Sequence, residues 1–225
     1  MKRMKTRKPM AGLLLAASMA APAFAGGPTG FIGLSSDYVF RGVSLNNESP
    51  ALQAGIQTPL FGGLYAGLWG SKADVEGDVE LDLYGGYKAH ITREFSYDLG
   101  VRNYRFPGES RLDTVEGRVR LNWNWLHTAY HYTPDYFGTD DGGHHFAAGA
   151  DIPLPQGFKI GVGAGHSFGD GVERRFGEGY NDYRLSVNKS WQGLDFGAAV
   201  TTTDLNGAEA RDADTRAVIS VGKGF

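Results

Sequence analysis

Beyond residue 25 the chain alternates apolar and polar residues in twos, and apolar positions almost never recur at intervals of three and four. In one segment Val79, Leu81 and Leu83 alternate with Glu80 and Asp82. A period of two places apolar side chains on one face of a strand and polar side chains on the other. With clusters of Gly, Pro, Asn and Asp taken as breaks, the pattern predicts twelve strands, at 30–41, 50–58, 63–71, 78–88, 95–105, 112–122, 125–134, 143–152, 158–167, 179–189, 193–203 and 214–225.

The gaps between the predicted strands alternate in length. The six odd-numbered gaps total 49 residues, whereas the five even-numbered gaps total 20. Short turns at one end and longer loops at the other are typical of outer-membrane barrels, in which the short turns are periplasmic. The sequence therefore predicts an all-β protein, a transmembrane up-and-down antiparallel β-barrel of about 12 strands.

Charge follows the same division of the chain. The odd-numbered gaps hold 13 acidic and five basic residues, a net charge of −8. The charges on the predicted apolar faces, Arg105, Asp113, Lys189 and Lys223, fall near strand ends. Because a charge facing lipid at the bilayer midplane costs about 2–4 kcal/mol, this distribution suits a membrane barrel.

The first 25 residues predict a secretory signal. A basic stretch from Lys2 to Lys8 precedes the apolar run from Met10 to Ala20, and Ala23-Phe24-Ala25 forms an A-x-A cleavage site. We therefore expect a cleaved signal peptide at 1–25 and a single barrel domain at 26–225, located in the outer membrane of a Gram-negative bacterium.

Composition narrows the classes of function. Five of the 22 Lys and Arg residues lie in the signal, which leaves 17 against 25 acidic residues and a net charge of −8. This acidic balance argues against nucleic acid as a partner. The chain has no Cys, so it has no disulfide and no lipoprotein anchor. No later stretch approaches the roughly 20 apolar residues of a membrane helix.

Aromatic residues fall near both ends of the predicted strands. Such positions predict two girdles at the membrane interfaces. The chain ends in Phe225, which resembles the terminal signal that outer-membrane barrels present to the barrel assembly machinery. At the short turns the aromatic residues are Phe61, Phe95, Trp123, Trp125, Phe158, Trp191 and Phe225; at the long loops they are Tyr104, Phe106, Tyr136, Phe137, Phe168, Phe176 and Tyr180.

Several segments in the first half of the chain resemble the TorF family of porins. They are SSDYVFRGVS (35–44), PALQAGIQ (50–57), GLYAGLWGS (63–71), ELDLYGGY (80–87) and YDLGVRNYRFPGE (97–109). The resemblance covers roughly 30–110, and beyond it the likeness is in barrel periodicity and the terminal Phe. It implies a β-barrel and the passage of small solutes. It carries no established catalytic or binding residues.

The polar faces of the strands hold the candidate pore-lining residues. In one interpretation carboxylates and arginines face each other across the lumen and select solutes. In the other, neighbouring strands pair these charges to rigidify the barrel. The candidates are Arg41, Glu80, Asp82, Asp98, Arg102, Glu116, Arg118, Arg120, Asp182, Arg184 and Arg216.

The segment containing Asp37, Tyr38 and Arg41 lies near the outer end of the first predicted strand. Asp37 and Arg41 are expected to share one strand face. They would then either line the pore mouth or form a structural salt link that closes the first strand against the twelfth.

The sequence gives little support for metal or catalytic sites. His127 and His131 would lie about 13 Å apart on a strand, too far to share an ion, and we predict no metal and no cofactor. GVGAG (161–165) fits no dinucleotide motif, and its glycines make room on the lumen side of a strand. His166 and Ser167, with Glu173 nearby, raise the alternative of an outer-leaflet hydrolase. Adjacent strand residues, however, face opposite sides, so we predict that the protein is not an enzyme.

Together these patterns predict a porin-like channel for passive diffusion of small hydrophilic solutes. Its expected partners are outer-membrane lipid and lipopolysaccharide, the barrel assembly machinery through Phe225, and small polar solutes. The alternative is a closed barrel that serves as a structural or surface-interaction protein. A water-wide lumen would favour the channel, and an inward-folded loop that blocks it would favour the closed barrel.

Overall fold

The computed structural model describes residues 27–73, 79–206 and 212–225. The predicted signal peptide at 1–25, the predicted strand start at 78, and the loop charges Asp74, Glu76, Glu209 and Arg211 lie outside the described residues. The strands are β1 (Thr29–Ser35), β2 (Val39–Phe40), β3 (Val43–Ser44), β4 (Ala51–Pro59), β5 (Leu64–Lys72), β6 (Val79–His90), β7 (Phe95–Arg105), β8 (Thr114–Trp123), β9 (Leu126–Thr133), β10 (Gly143–Pro153), β11 (Phe158–Phe168), β12 (Tyr180–Trp191), β13 (Leu194–Thr203) and β14 (Arg216–Gly224).

Twelve of these strands close into an antiparallel barrel, and β2 and β3 form a separate hairpin. Each barrel strand pairs with its neighbours along the chain. The barrel closes where β1 lies between β14, with Phe31 opposite Gly224, and β4, with Thr29 opposite Gln57. The predicted twelve-stranded up-and-down barrel is confirmed.

The connections confirm the predicted asymmetry. Turns of two to four residues join the strands at one end, which we call the short-turn end, and longer loops join them at the other, the long-loop end. At one of the two-residue turns Gln192 and Gly193 have φ of 51° and 79°. Two positive φ angles define the type I′ turn, whose twist matches that of the paired strands.

The two faces of the barrel are inverted relative to a soluble protein. Leu83 and Val101 point outward with 59% and 57% of their surface exposed, whereas Glu80 and Asp82 point inward with 1% and 2% exposed. A continuous exposed apolar belt around a charged interior is stable only where lipid covers the outside. The charges predicted near strand ends lie outside the middle of this belt. Arg105, for example, pairs with Asp113 at 2.7 Å at the long-loop end of β7 and β8.

Short helical segments complete the described chain. The helix α1 (Asp170–Phe176) lies in the loop between β11 and β12, and single 3-10 turns occur at Ser110–Leu112 and Pro155–Gly157. Within the described ranges, the structure has no helix whose length and apolar character would let it cross a membrane.

Aromatic side chains at the short-turn end are exposed, with Phe61 at 79% and Phe225 at 74%. At the long-loop end the predicted girdle is largely wrong. Tyr104, Tyr136 and Tyr180 are 3% exposed or less, because the long loops fold over the barrel mouth and bury them in two clusters.

The first strand is shorter than predicted. The expected strand 30–41 ends at Ser35, after which the chain leaves the wall and enters the lumen. This departure creates the feature that dominates the interior.

Candidate functional site

Residues 36–50, between β1 and β4, fold into the barrel instead of extending away from it. β2 and β3 pair as a two-residue hairpin, with Val39 opposite Ser44 and Phe40 opposite Val43. Arg41 and Gly42 form its tip with φ of 49° and 83°, again the signs of a type I′ turn. We call residues 38–44 the lumen hairpin.

The tip of the lumen hairpin touches the far wall of the barrel. Arg41 Nη2 lies 2.5 Å from Glu116 Oε2 on β8, and both side chains are almost fully buried. A Cβ at Gly42 would overlap the Thr203 side chain on β13 and lie 3.0 Å from Asp182 Cβ on β12. The hairpin therefore reaches across the lumen from β1 to walls on two sides.

Arg41 is held charged in this position. Burial lowers the pKa of its guanidinium, but the Glu116 carboxylate together with Tyr136 and Tyr104 raises it, so the pKa lies above its ordinary value. The guanidinium also lies 4.6 Å from the centre of the Phe40 ring. The tip is anchored by its ion pair with Glu116.

The root of the lumen hairpin is tied to the wall from which it departs. Asp37 Oδ2 accepts a hydrogen bond from Arg216 on β14 at 3.2 Å, and its Oδ1 accepts one from Ser44 at 2.7 Å. Tyr38 donates to Glu80 on β6 at 3.2 Å. The expected link between the first and last strands exists through Asp37 and Arg216. The expectation that Arg41 shares a strand face with Asp37 is wrong, because the backbone turns inward at Ser36.

The lumen hairpin separates two spaces inside the barrel. On the long-loop side lies a cleft of ≈ 430 Å³, lined by Val43, Leu45, Phe106 and Tyr136 among others. On the short-turn side lies a cavity of ≈ 200 Å³, which we call the lower cavity, and Val39, Phe40, Arg41 and Gly42 form part of its lining. A solute crossing the barrel would have to pass the hairpin.

Most charges around the hairpin are paired. Asp82 accepts from Arg102 at 3.0 Å. Asp98 accepts from Arg118 at 2.9 Å and from Tyr65 at 2.7 Å. This is the pairing between neighbouring strands that the sequence offered as the structural alternative. It also fixes side-chain positions along the lumen.

Glu116 is the most heavily used acceptor. Besides Arg41, it accepts from Tyr104 at 3.2 Å and lies 2.7 Å from Nδ1 of His131. A buried carboxylate with several donors is stabilised as an anion. It provides a rigid docking point for the hairpin.

The structure places all the predicted pore-lining side chains inside the barrel. Glu80, Asp82, Asp98 and Arg216 are buried behind the hairpin and neighbouring side chains. Whether solutes pass any of them stays a prediction. Those that line the lower cavity are Arg41, Arg102, Glu116, Arg118, Arg120, Asp182 and Arg184.

A Ser, His and Asp constellation that the sequence did not predict lies on the inner wall. His145 Nδ1 is 2.9 Å from Ser167 Oγ, and its Nε2 is 3.8 Å from Asp182 Oδ2. Ser167 has no exposed surface, so a substrate has no access to its hydroxyl in this conformation. His166 points outward, on the opposite face from Ser167 as expected, and stacks on Phe168 at 5.4 Å between ring centres. Among the described residues no group of three or more His, Asp or Glu side chains is arranged to hold a metal.

The outward apolar belt, the inverted charged interior and the segregated loops define a β-barrel membrane protein of the porin type. Solved structures with this fold include the KdgM porin, at 12% identity and a TM-score of 0.59, covering 88% of this chain and 99% of that one. The NanC porin matches with 11% identity and a TM-score of 0.58, covering 88% of this chain and 98% of that one. At such identities the likeness shows the fold alone, and this fold implies a location in the Gram-negative outer membrane.

The chain belongs to the Gcw_chp family, described as a bacterial protein of unknown function, whose sequence model matches residues 20–225. A comparison with curated proteins finds no match. The resemblance to TorF porins stays a prediction.

Proposed function

We propose that the protein is a porin-like channel for passive diffusion of small hydrophilic solutes, with the lumen hairpin as its constriction. The observation that carries the proposal is the interior: a cleft and a charged cavity lie on either side of one narrow hairpin inside a porin-type barrel. An apolar filling is often at least as stable as buried ion pairs, so the charged interior favours a role beyond stability.

Two similarities support the proposal. The KdgM porin, which has also been solved in complex with a disordered oligogalacturonate, shares the fold. The TorF resemblance of residues 30–110 also points to the passage of small solutes. No enzymatic step is part of the proposal.

Location and partners belong to the same proposal. Residues 1–25 would direct export, and lipid and lipopolysaccharide would cover the outward belt. The assembly machinery would recognise Phe225, whose backbone N–H donates to Gly30 at 2.9 Å beside β1. Fractionation with the outer membrane and heat-modifiable gel mobility are expected, and recovery as a soluble periplasmic monomer would contradict the assignment.

The second candidate is a closed structural or surface-interaction barrel. The inward-folded hairpin favours it, because the tip reaches Glu116 and the wall near Thr203. Ion pairs at both ends of the hairpin would then keep the path shut.

Conductance in planar bilayers separates the two candidates. The refolded mature chain is compared with a variant in which residues 38–44 are replaced by a Gly-Ser linker, which leaves the twelve barrel strands unchanged. Steady conductance of the native chain, increased in the variant, supports the channel. A silent native chain beside a conducting variant supports the closed barrel. Silence of both folded proteins shows that the wall side chains block the lumen and refutes the channel.

A further inference from the structure

The lower cavity has more cationic than anionic side chains. Five arginines and three acids line it, a balance of +2 among the lining side chains with the histidines neutral. Two of these arginines are paired with Asp82 and Asp98, which lie outside the lining. The whole mature chain, in contrast, is acidic. The cationic excess is therefore confined to the side chains that face this cavity.

Two arginines of the cavity are not neutralised by a neighbour. Arg41, Arg102 and Arg118 each form a salt bridge with a carboxylate. Within the described part of the chain, Arg120 and Arg184 form none: Arg120 donates through Nε to the Asn122 amide at 2.9 Å, and its two terminal nitrogens have no acidic partner. Arg120 is nevertheless only 7% exposed.

The acids near these two arginines each lie beside another basic side chain, and Asp182 on β12 is 3.8 Å from His145 Nε2. Asp98 is held by Arg118 and Tyr65. Asp151 lies 3.9 Å from both His127 Nδ1 and Lys159 Nζ, toward the short-turn end. Since unpaired buried cations are costly, Arg120 and Arg184 gain from an external anion.

Space for such an anion exists beside the arginines. The cavity lining on β9, β10 and β11 includes Ala129, Ala147 and Gly163. A Cβ at Gly163 would meet only one atom, at 3.8 Å, so this wall is open. Arg120 on β8 and Arg184 on β12 lie on either side of these strands. Both arginines and these small residues line the same cavity.

We propose that the lower cavity is a binding station for small solutes bearing a carboxylate or a similar oxyanion, which Arg120 and Arg184 hold in transit. This deepens the proposed function by naming the class of solute. A guanidinium presents a planar fork of donors that matches a carboxylate or phosphate. The volume of ≈ 200 Å³ limits the solute to a small molecule. To pass through the barrel, the anion must also leave the site readily, so the site has to bind it weakly.

The test compares the native chain with the double variant Arg120→Ser, Arg184→Ser. The matched control is Arg105→Ser, the same substitution at an arginine whose side chain lies outside the lumen and is 59% exposed. In a potassium chloride gradient, the reversal potential of native and control channels should show anion preference, and that of the double variant should shift toward cations. Added succinate should reduce the chloride current of native and control channels, and inorganic phosphate tests whether other oxyanions share the site.

Titration calorimetry of the folded proteins in detergent measures succinate binding without any channel activity. The double variant should bind roughly tenfold or more weakly, because hydrogen bonds to charged groups are the stronger ones. A native channel that conducts without anion preference and binds no succinate overturns this inference and leaves the proposed function standing. A silent barrel that binds succinate through these arginines overturns the channel and leaves the anion site.

Discussion

Replacing Arg41 with Ala should release the lumen hairpin from the far wall. In the native structure the Arg41 and Glu116 side chains are 6% and 4% exposed, and their atoms approach to 2.5 Å. Removing one partner of a buried pair typically costs about 3–5 kcal/mol, because the other charge is left unpaired. Here Glu116 keeps Tyr104 and His131 as donors, so we expect a smaller loss of about 2–3 kcal/mol.

This loss should affect the hairpin and not the barrel. The lumen hairpin forms a sheet of its own and shares no backbone pairing with the twelve-stranded wall. The barrel strands and their register therefore do not depend on Arg41. Because 1.4 kcal/mol corresponds to a factor of ten, the equilibrium between docked and released hairpin should shift about 30-fold to 150-fold.

Single-channel recording measures this shift as the time spent in a high-conductance state. A double-mutant cycle with Glu116→Gln isolates the pair, since the second substitution should add little once Arg41 is gone. Heat-modifiable gel mobility must match the native protein, which shows that the barrel folds. If the folded Arg41→Ala protein has native conductance and native open fraction, the pair does not hold the constriction, and the reasoning is refuted.

Three further substitutions test neighbouring features. Gly42→Ala should also release the hairpin, because its φ of 83° and the adjacent wall leave no room for a Cβ. The control for backbone strain is Gly62→Ala, at φ 62° in open space. Equal conductance of the two variants would contradict the expectation. Asp37→Asn should loosen the root of the hairpin and expose Arg41 to trypsin, which mass spectrometry of the digest detects; continued protection would show that the Arg216 contact is dispensable. Leu83→Arg, on the lipid face of β6, should lower the free energy of unfolding by about 2–4 kcal/mol in urea titrations in lipid vesicles, and an unchanged value would argue against a membrane environment at that position.

The sequence predicts the barrel well because strand periodicity is local and lipid imposes it on every strand. Eleven of the twelve predicted barrel strands lie within two residues of the structure at each end. Glu80 and Asp82 alternate with leucines, and this alternation alone places their side chains inside the barrel. The same alternation correctly separates His166 from Ser167.

The lumen hairpin was missed because the signals that create it are not local. Asp37 to Phe40 continue the alternation of β1, so the pattern extends the strand to 41. The partner that holds the tip, Glu116, lies 75 residues away along the chain. Gly42, with its φ of 83°, is a local feature that permits the tight turn. The sequence places the loop aromatics at the membrane interface for the same reason. Burial of a side chain by another loop produces no periodic pattern in the sequence.

In the proposed channel, the hairpin and the two arginines that form no salt bridge would act on different properties of a solute. Arg41 at the hairpin tip and Asp37 at its root are neutralised by Glu116 and Arg216, so in the proposed channel the hairpin would restrict solutes by size and contribute little net field. Below it, Arg120 and Arg184 retain their field in a cavity with small residues on the adjoining wall. In the proposed channel, a solute entering from the long-loop side would meet the hairpin first, so only solutes small enough to pass it would reach the cationic cavity.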